Sequence, residues 1–154
     1  MTEPPAPQLR FLATIEVDVG AVHTIGATDG GVRRVVPILG GSVSGPELNG
    51  SVLPMGEDFQ VLRSETVSEL HARYVIRTDR DELITVDNHA LRAADPDVLA
   101  RLNRGEQVDP ADVYFRCVPR MQGSGRWSWL SERVLIGTGE RRPQTVIIRV
   151  YVVD

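Results

Sequence analysis

The chain has 154 residues, 42% hydrophobic and 25% charged, with a net charge of −4 and a pI near 5.4. That is enough for one domain with its own core, and the acidic balance offers no general attraction to nucleic acid or an anionic membrane. All 17 basic residues are arginine and there is one cysteine, Cys117, which excludes lysine Schiff-base chemistry, a P-loop lysine, an internal disulfide and a multi-cysteine metal site.

The N-terminal MTEPPAPQ is proline-rich and polar, without the basic start and apolar stretch of a secretory signal. Residues 1–7 read as a disordered lead before a single domain over 8–154, and the protein is expected to be cytoplasmic. No apolar run reaches the roughly 20 residues that a membrane-spanning helix needs. In LRFLATIEVDV (9–19), Leu9, Phe11, Ala13, Ile15, Val17 and Val19 alternate against polar neighbours, which predicts a half-buried strand. Further strands are expected at 32–39, 50–54, 58–63, 69–78, 83–87, 113–118, 127–137 and 145–154. Turn signals such as Asp29-Gly30-Gly31, Gly45-Pro46 and Asn49-Gly50 separate them. In DPDVLARLNRG, Asp95 suits an N-cap, Pro96 the first helical position and Gly105 the stop. One short helix near 96–104 follows, with Val98, Leu99 and Leu102 as its apolar stripe. Nine strands and one helix favour an all-β fold, a single antiparallel barrel of about eight to ten strands, over a two-sheet sandwich.

The run GGSVSGPELNGSVLPMGEDFQ (40–60) holds five glycines and two prolines in 21 residues. Glycine inside a barrel strand marks a bulge, a bend or a close approach. The bend at Pro54-Met55-Gly56 delivers Asp58 and Gln60 on one strand face and Phe59 on the other. Asp58 is the leading acid/base candidate if it faces a cavity, and a turn residue if it does not. Arg73 and Arg116 lie in otherwise apolar strands, where a buried guanidinium needs a partner such as Asp58 and a solvated one does not. Tyr74 and Tyr114 are candidate oxyanion donors. Adjacent strand residues point to opposite faces, so either His71 and Arg73 face inward and the lumen is polar, or Tyr74 and Ile76 do and it is greasy. His71 is a secondary acid/base candidate. Two of the three histidines with Asp87 form a conceivable mixed-ligand metal site, though no histidine pair has i, i+2 or i, i+4 spacing, and no metal or cofactor is expected. Gln60, Asn88, Tyr114, Arg116 and Trp129 are candidate ligand contacts. Trp127 and Trp129, two apart in the expected strand 127–137, share a face and could stack on a planar ligand or fill the core. Cys117 suits a packed thiol.

The order GGSVSGPELNGSVLPMGEDFQ, HARYVIRT, LITVDN, VYFRC, WSWLSERVLIGTG and a closing apolar strand resembles the microbial family catalogued as domain of unknown function three-two-three-seven. The likeness spans residues 8–154. In that family's pattern Asp58 and Gln60 match, Phe59 replaces a tryptophan and Glu57 adds a carboxylate. Ala72, Arg73 and Tyr74 match a further piece, as do Trp129 and Leu130. The resemblance implies a calycin-like barrel with a central cavity and a shared pocket, but no mechanism.

Together these readings lead to a small-molecule-binding barrel. The first expectation is a cofactor-independent enzyme, of isomerase, cyclase, lyase or hydratase type, acting on a small anionic or carbonyl-bearing substrate. Asp58, Arg73, Tyr74 and His71 would be its catalytic groups. The alternatives are a non-catalytic binding barrel and a structural barrel with a filled core. The expected partner is a small organic ligand, and an exposed edge or apolar outer face leaves room for a homodimer.

Overall fold

The computed structural model describes residues Met1–Asp154. Ten strands follow one another: β1 Leu9–Val19, β2 His23–Thr28, β3 Gly31–Ser44, β4 Gly50–Val52, β5 Glu57–Leu62, β6 Val67–Thr78, β7 Leu83–Ala93, β8 Tyr114–Gly123, β9 Val134–Arg141 and β10 Thr145–Val153. Helix α1, Pro96–Asn103, separates β7 from β8, and short 3-10 helices cover Pro110–Asp112 and Gly125–Glu132. All strand pairs are antiparallel. The order β1-β10-β9-β8-β7-β6-β4-β3 closes when β3 pairs back to β1. Because β4 and β5 occupy the same place between β3 and β6, the barrel has eight staves, with β2 as a hairpin appendage on β3. No helix is long and apolar enough to cross a membrane.

The glycine run turns out to be a strand and its bends. β3 continues through Gly40-Gly41: its first half, Val32–Pro37, pairs with β5, and its second half pairs with β4 on one side and β1 on the other. Gly41 has φ +145°, and a Cβ there would strike the Glu16 carbonyl oxygen of β1. The two backbones approach too closely for any side chain. Gly56, with φ +97°, passes equally close to the Arg73 carbonyl oxygen, and this contact sets the entry of β5.

Several expectations are corrected. The segment 127–137 is not one strand: its first half is the 3-10 helix Gly125–Glu132. The buried residues Trp127 and Leu130 stand three apart, which matches the 3-10 repeat rather than period two. Ser128 and Ser131 hydroxyls donate to the carbonyls of Gly125 and Ser128, at 2.9 and 3.0 Å. In β1 a register shift between Phe11 and Ala13 puts Leu12 inside and leaves Phe11 outside, against Tyr151. The hairpin strand β2, with mostly exposed residues, carried no period-two signal and was not expected. Helix α1 forms as expected, with Gly105 at φ +85° behind its end, but the Asp95 side chain makes no capping bond.

The main core runs through the barrel interior. Leu12, Ile76, Ile84, Met121, Leu130 and Leu135 are at most 2% exposed, and Trp127 seals one end. Leu99, Leu102 and Val108 form a separate small core beneath α1 at the other end.

Candidate functional site

Alternation fixes what faces the lumen. Along β6, Ser68, Leu70, Tyr74 and Ile76 are buried while Glu69 and Arg73 are exposed. Along β7 the inward set is Ile84, Val86, Asn88, Ala90 and Arg92. Antiparallel register places Asp58 beside Val36 and Ala72, and Gln60 beside Arg34 and Leu70. The lumen is greasy at the Trp127 end and polar at the α1 end, where a cavity of about 50 Å³ remains. Asp58, Gln60, Tyr74, Asn88, Arg92 and Arg141 line it, together with apolar residues such as Val36, Ile38 and Phe115.

The polar groups form one chain of contacts. Arg34 donates to Gln60 Oε1 from Nη2 at 2.7 Å and from Nε at 3.2 Å. Gln60 Nε2 in turn donates to Asp58 Oδ2 at 2.8 Å. Arg34 Nη1 also donates to the Asn103 carbonyl at 2.8 Å, and Arg92 Nη2 to Asn103 Oδ1 at 3.2 Å. The last residue of α1 therefore closes the polar end through two guanidinium groups. Asp58 Oδ1, Asn88 Oδ1 and Arg92 Nε are out of contact with solvent and make no hydrogen bond within the protein. Arg92 is only 2% exposed and lies over the Phe115 ring, 5.6 Å from its centroid. Phe115 can reach that position because Gly139 carries no Cβ, which would collide with its ring.

Burial dominates the electrostatics. It pushes the Asp58 carboxyl above the usual carboxylate range, against the opposing pull of the Gln60 hydrogen bond, the Arg92 charge, the His71 backbone amide and the Arg141 charge. It holds Arg92 down at about 10 and lowers Arg34 and Arg141, while Asp58 pulls each of them back up. It also raises the Tyr74 hydroxyl and pushes the Cys117 thiol to about 11. At neutral pH the site therefore holds three guanidinium cations, one carboxyl with a raised proton affinity, and a phenol that keeps its proton.

Of the residues singled out in the sequence, Asp58, Gln60, Tyr74 and Asn88 meet in this cavity. The others do not. Arg73 lies outside, with a side chain 71% exposed and its Nε 3.6 Å from Asp87. His71 is on that outer face too, 2.7 Å from Asp87 Oδ1. Neither Arg73 nor Arg116 pairs with Asp58. Arg116 stacks on Tyr114 on the outer face of β8, 5.0 Å from the ring centroid. Trp129 lies in the 3-10 helix under Arg10, away from the polar end. The arginines that do face Asp58 are Arg34, Arg92 and Arg141. Arg92 was readable from its place in the series 84, 86, 88, 90, 92. Arg34 and Arg141 needed the register of β3 with β5 and of β9 with β10.

A second, larger hollow of about 820 Å³ lies on the outer face of β5–β9, beside Phe59, His71, His89, Leu91, Tyr114 and Arg116. It is open and lined by exposed side chains, whereas the lumen holds the buried charge.

The family described as "Protein of unknown function (DUF3237)" matches residues 7–153. A UPF0311 protein of Rhodopseudomonas palustris is 38% identical over 148 residues, covering 96% of this chain and 97% of that protein. The crystal structure of a beta-barrel like protein from Acinetobacter baumannii superimposes with a TM-score of 0.87 at 33% identity, covering all of both chains. An enzyme from Penicillium herquei shares the fold, with a TM-score of 0.73 at 16% identity over 100% of this chain and 99% of that one. With the match running through almost every stave of the barrel, the chain belongs to the DUF3237 family.

Proposed function

We propose that the polar end of the lumen binds a small organic anion and moves a proton on it, with Asp58 as the general acid/base. One observation carries this reading. Arg92 and Asp58 sit beside the same cavity with the guanidinium Nε and one carboxyl oxygen unpartnered. Buried polar atoms are normally satisfied, and the cost of leaving these unpaired is removed when a ligand supplies the partners. Three arginines against one carboxyl leave an excess of positive charge, which an anionic or enolisable ligand offsets.

In the reaction that fits, Asp58 Oδ1 takes a proton from carbon or oxygen next to a carbonyl. The electron pair moves onto the carbonyl oxygen. Arg92 and Arg141 hold that oxyanion, with the Tyr74 hydroxyl as a further donor, and the proton returns to another atom of the same substrate. Isomerisation and ring closure need no more than this, and hydration or elimination adds only water or a leaving group. Gln60 and Arg34 position Asp58 rather than touch substrate. A carboxyl whose pKa burial raises suits a group that must both accept and return a proton. The Penicillium enzyme of the same fold adds weight to catalysis.

A non-catalytic anion-binding barrel is the second reading, favoured by cavity size. About 50 Å³ holds about four waters or one small carboxylate. A larger substrate needs the Asn103 contacts to give way. The deciding experiment pairs calorimetric binding of a panel of small carboxylates, enolates and phenolates with NMR detection of proton exchange into D2O. Wild type should bind and exchange, and Asp58→Asn should bind without exchange. Binding without exchange by wild type leaves the second reading, and no binding by any member ends both.

A further inference from the structure

We propose that the outer face of the barrel carries a divalent transition-metal site formed by His71, Asp87 and His89, separate from the lumen. The strand register builds it. His71 on β6 and His89 on β7 are paired residues, and Asp87 stands two residues before His89 on the same face. The two imidazole rings stack with centroids 3.9 Å apart and planes 18° from parallel. Their Nε2 atoms converge on one oxygen, Asp87 Oδ1, at 2.7 Å from His71 and 3.5 Å from His89. One ligand atom from each residue falls within 4.8 Å of the others.

Tetrahedral zinc with ligand bonds of about 2.0–2.1 Å needs its donors roughly 3.3 Å apart. The observed spacings bracket that value, so small side-chain rotations bring the three donors onto one ion. Two imidazole nitrogens and a carboxylate oxygen make a borderline donor set. That suits zinc, copper(II) or nickel and offers too few oxygens for calcium or magnesium. All three side chains are solvent-accessible, at 38%, 40% and 64% exposure, so an ion can enter. His71 and His89 also line the outer hollow with Phe59, Tyr114 and Arg116, and the three side chains leave a fourth coordination position for water or a small anion.

Charge around the site sets its strength. Arg73 Nε lies 3.6 Å from Asp87, and Arg120 stands opposite Asp87 in the β7–β8 register, so two nearby cations oppose a third. Arg73 is mostly solvated and free to swing away. Removing it should tighten the site.

The test is zinc titration of tag-free protein by calorimetry, with cobalt(II) substitution to read the donor set in the visible spectrum. The expected result is one ion per chain. His71→Ala and His89→Ala should each weaken binding at least about tenfold, since even losing a residue that only hydrogen-bonds a metal ligand costs about 10–100-fold. Arg73→Ala should strengthen binding, while His23→Ala and the lumen variant Asp58→Asn should leave it unchanged. These outer-face substitutions do not touch the core, and thermal melts without metal should coincide with wild type. No heat at millimolar zinc, or unchanged stoichiometry and affinity in the His71→Ala/His89→Ala double variant, overturns the proposal.

Discussion

Asp58→Asn should raise stability at neutral pH while removing the proposed proton transfer. The sign follows from linkage. Burial raises the folded-state pKa of Asp58 above its ordinary 3.8 even with Arg92 and Arg141 nearby. The native state therefore binds more protons than the unfolded chain between those two values, and stability falls as pH rises through that window. Asparagine mimics the neutral carboxyl in shape, keeps a contact for Gln60 and never ionises. Each unit by which the carboxyl is raised corresponds to about 1.4 kcal/mol. For a chain of this length that is roughly 3–6 °C in melting temperature. Urea or thermal melts of both proteins from pH 4 to 8, without ligand, read the effect. The variant's advantage should be largest above the raised pKa and should shrink as pH falls towards 4. Taking the difference between the two proteins cancels other carboxylates, including Glu82 and Asp154. A variant that is less stable at neutral pH, with the gap closing on acidification, would show that ionised Asp58 supports the fold as a partner of the arginines. The acid/base role would then lose its electrostatic basis.

Arg92→Met keeps bulk against Phe115 and deletes the buried guanidinium; affinity for a small carboxylate should fall at least about tenfold by calorimetry, in line with the roughly 1.5–3 kcal/mol of a charge-assisted hydrogen bond. Trp127→Ala empties the sealed end of the barrel, where Trp127 is 3% exposed. It should cost about 3–5 kcal/mol in a urea melt, with little change at the lumen site towards the other end. Glu82 accepts two bonds from Arg126, at 2.8 and 2.7 Å, and one from Thr78 at 2.7 Å, and these, the Arg126 bond first, hold its carboxyl at about 2. Its folded pKa is lowered, so its support is present at neutral pH and is lost as pH falls through the range from about 4.5 to about 2. Glu82→Gln should lower the melting temperature at pH 7, and the difference should vanish towards pH 2.

The barrel was legible because period two survives in most staves. β6, β7 and β10 alternate in the sequence much as they do in space. The segment 127–137 misled because Trp127, Trp129 and Leu130 suit a strand and a tight helix equally well. Only the serine hydroxyls, which satisfy local carbonyls, tip it towards 3-10. The site was half legible. Asp58, Gln60, Tyr74 and Asn88 share one parity class per strand, but parity alone cannot say which class faces in. His71 with Arg73 is as good a polar face on paper as Asn88 with Arg92. What decides is burial summed over the whole strand. Ile76, Ile84 and Val86 sit in the same classes as Tyr74 and Asn88 and must leave water, which sends His71 and Arg73 outside.

The absence of lysine takes on physical meaning at this site. A buried lysine tends to give up its proton, since desolvation lowers its pKa by several units. Arginine starts near 12.5, and Arg92 falls only to about 10 under nearly complete burial, so it remains a cation at any working pH. Its planar fork also serves two tasks at once. One edge holds Asn103 at the end of α1 and leaves Nε free beside the cavity. A lysine in that place would be a neutral amine or a single mobile charge, and neither would bind α1 while orienting an oxyanion. The proposed role of the polar end calls for guanidinium groups. Arg92→Lys should therefore weaken anion binding almost as much as Arg92→Met.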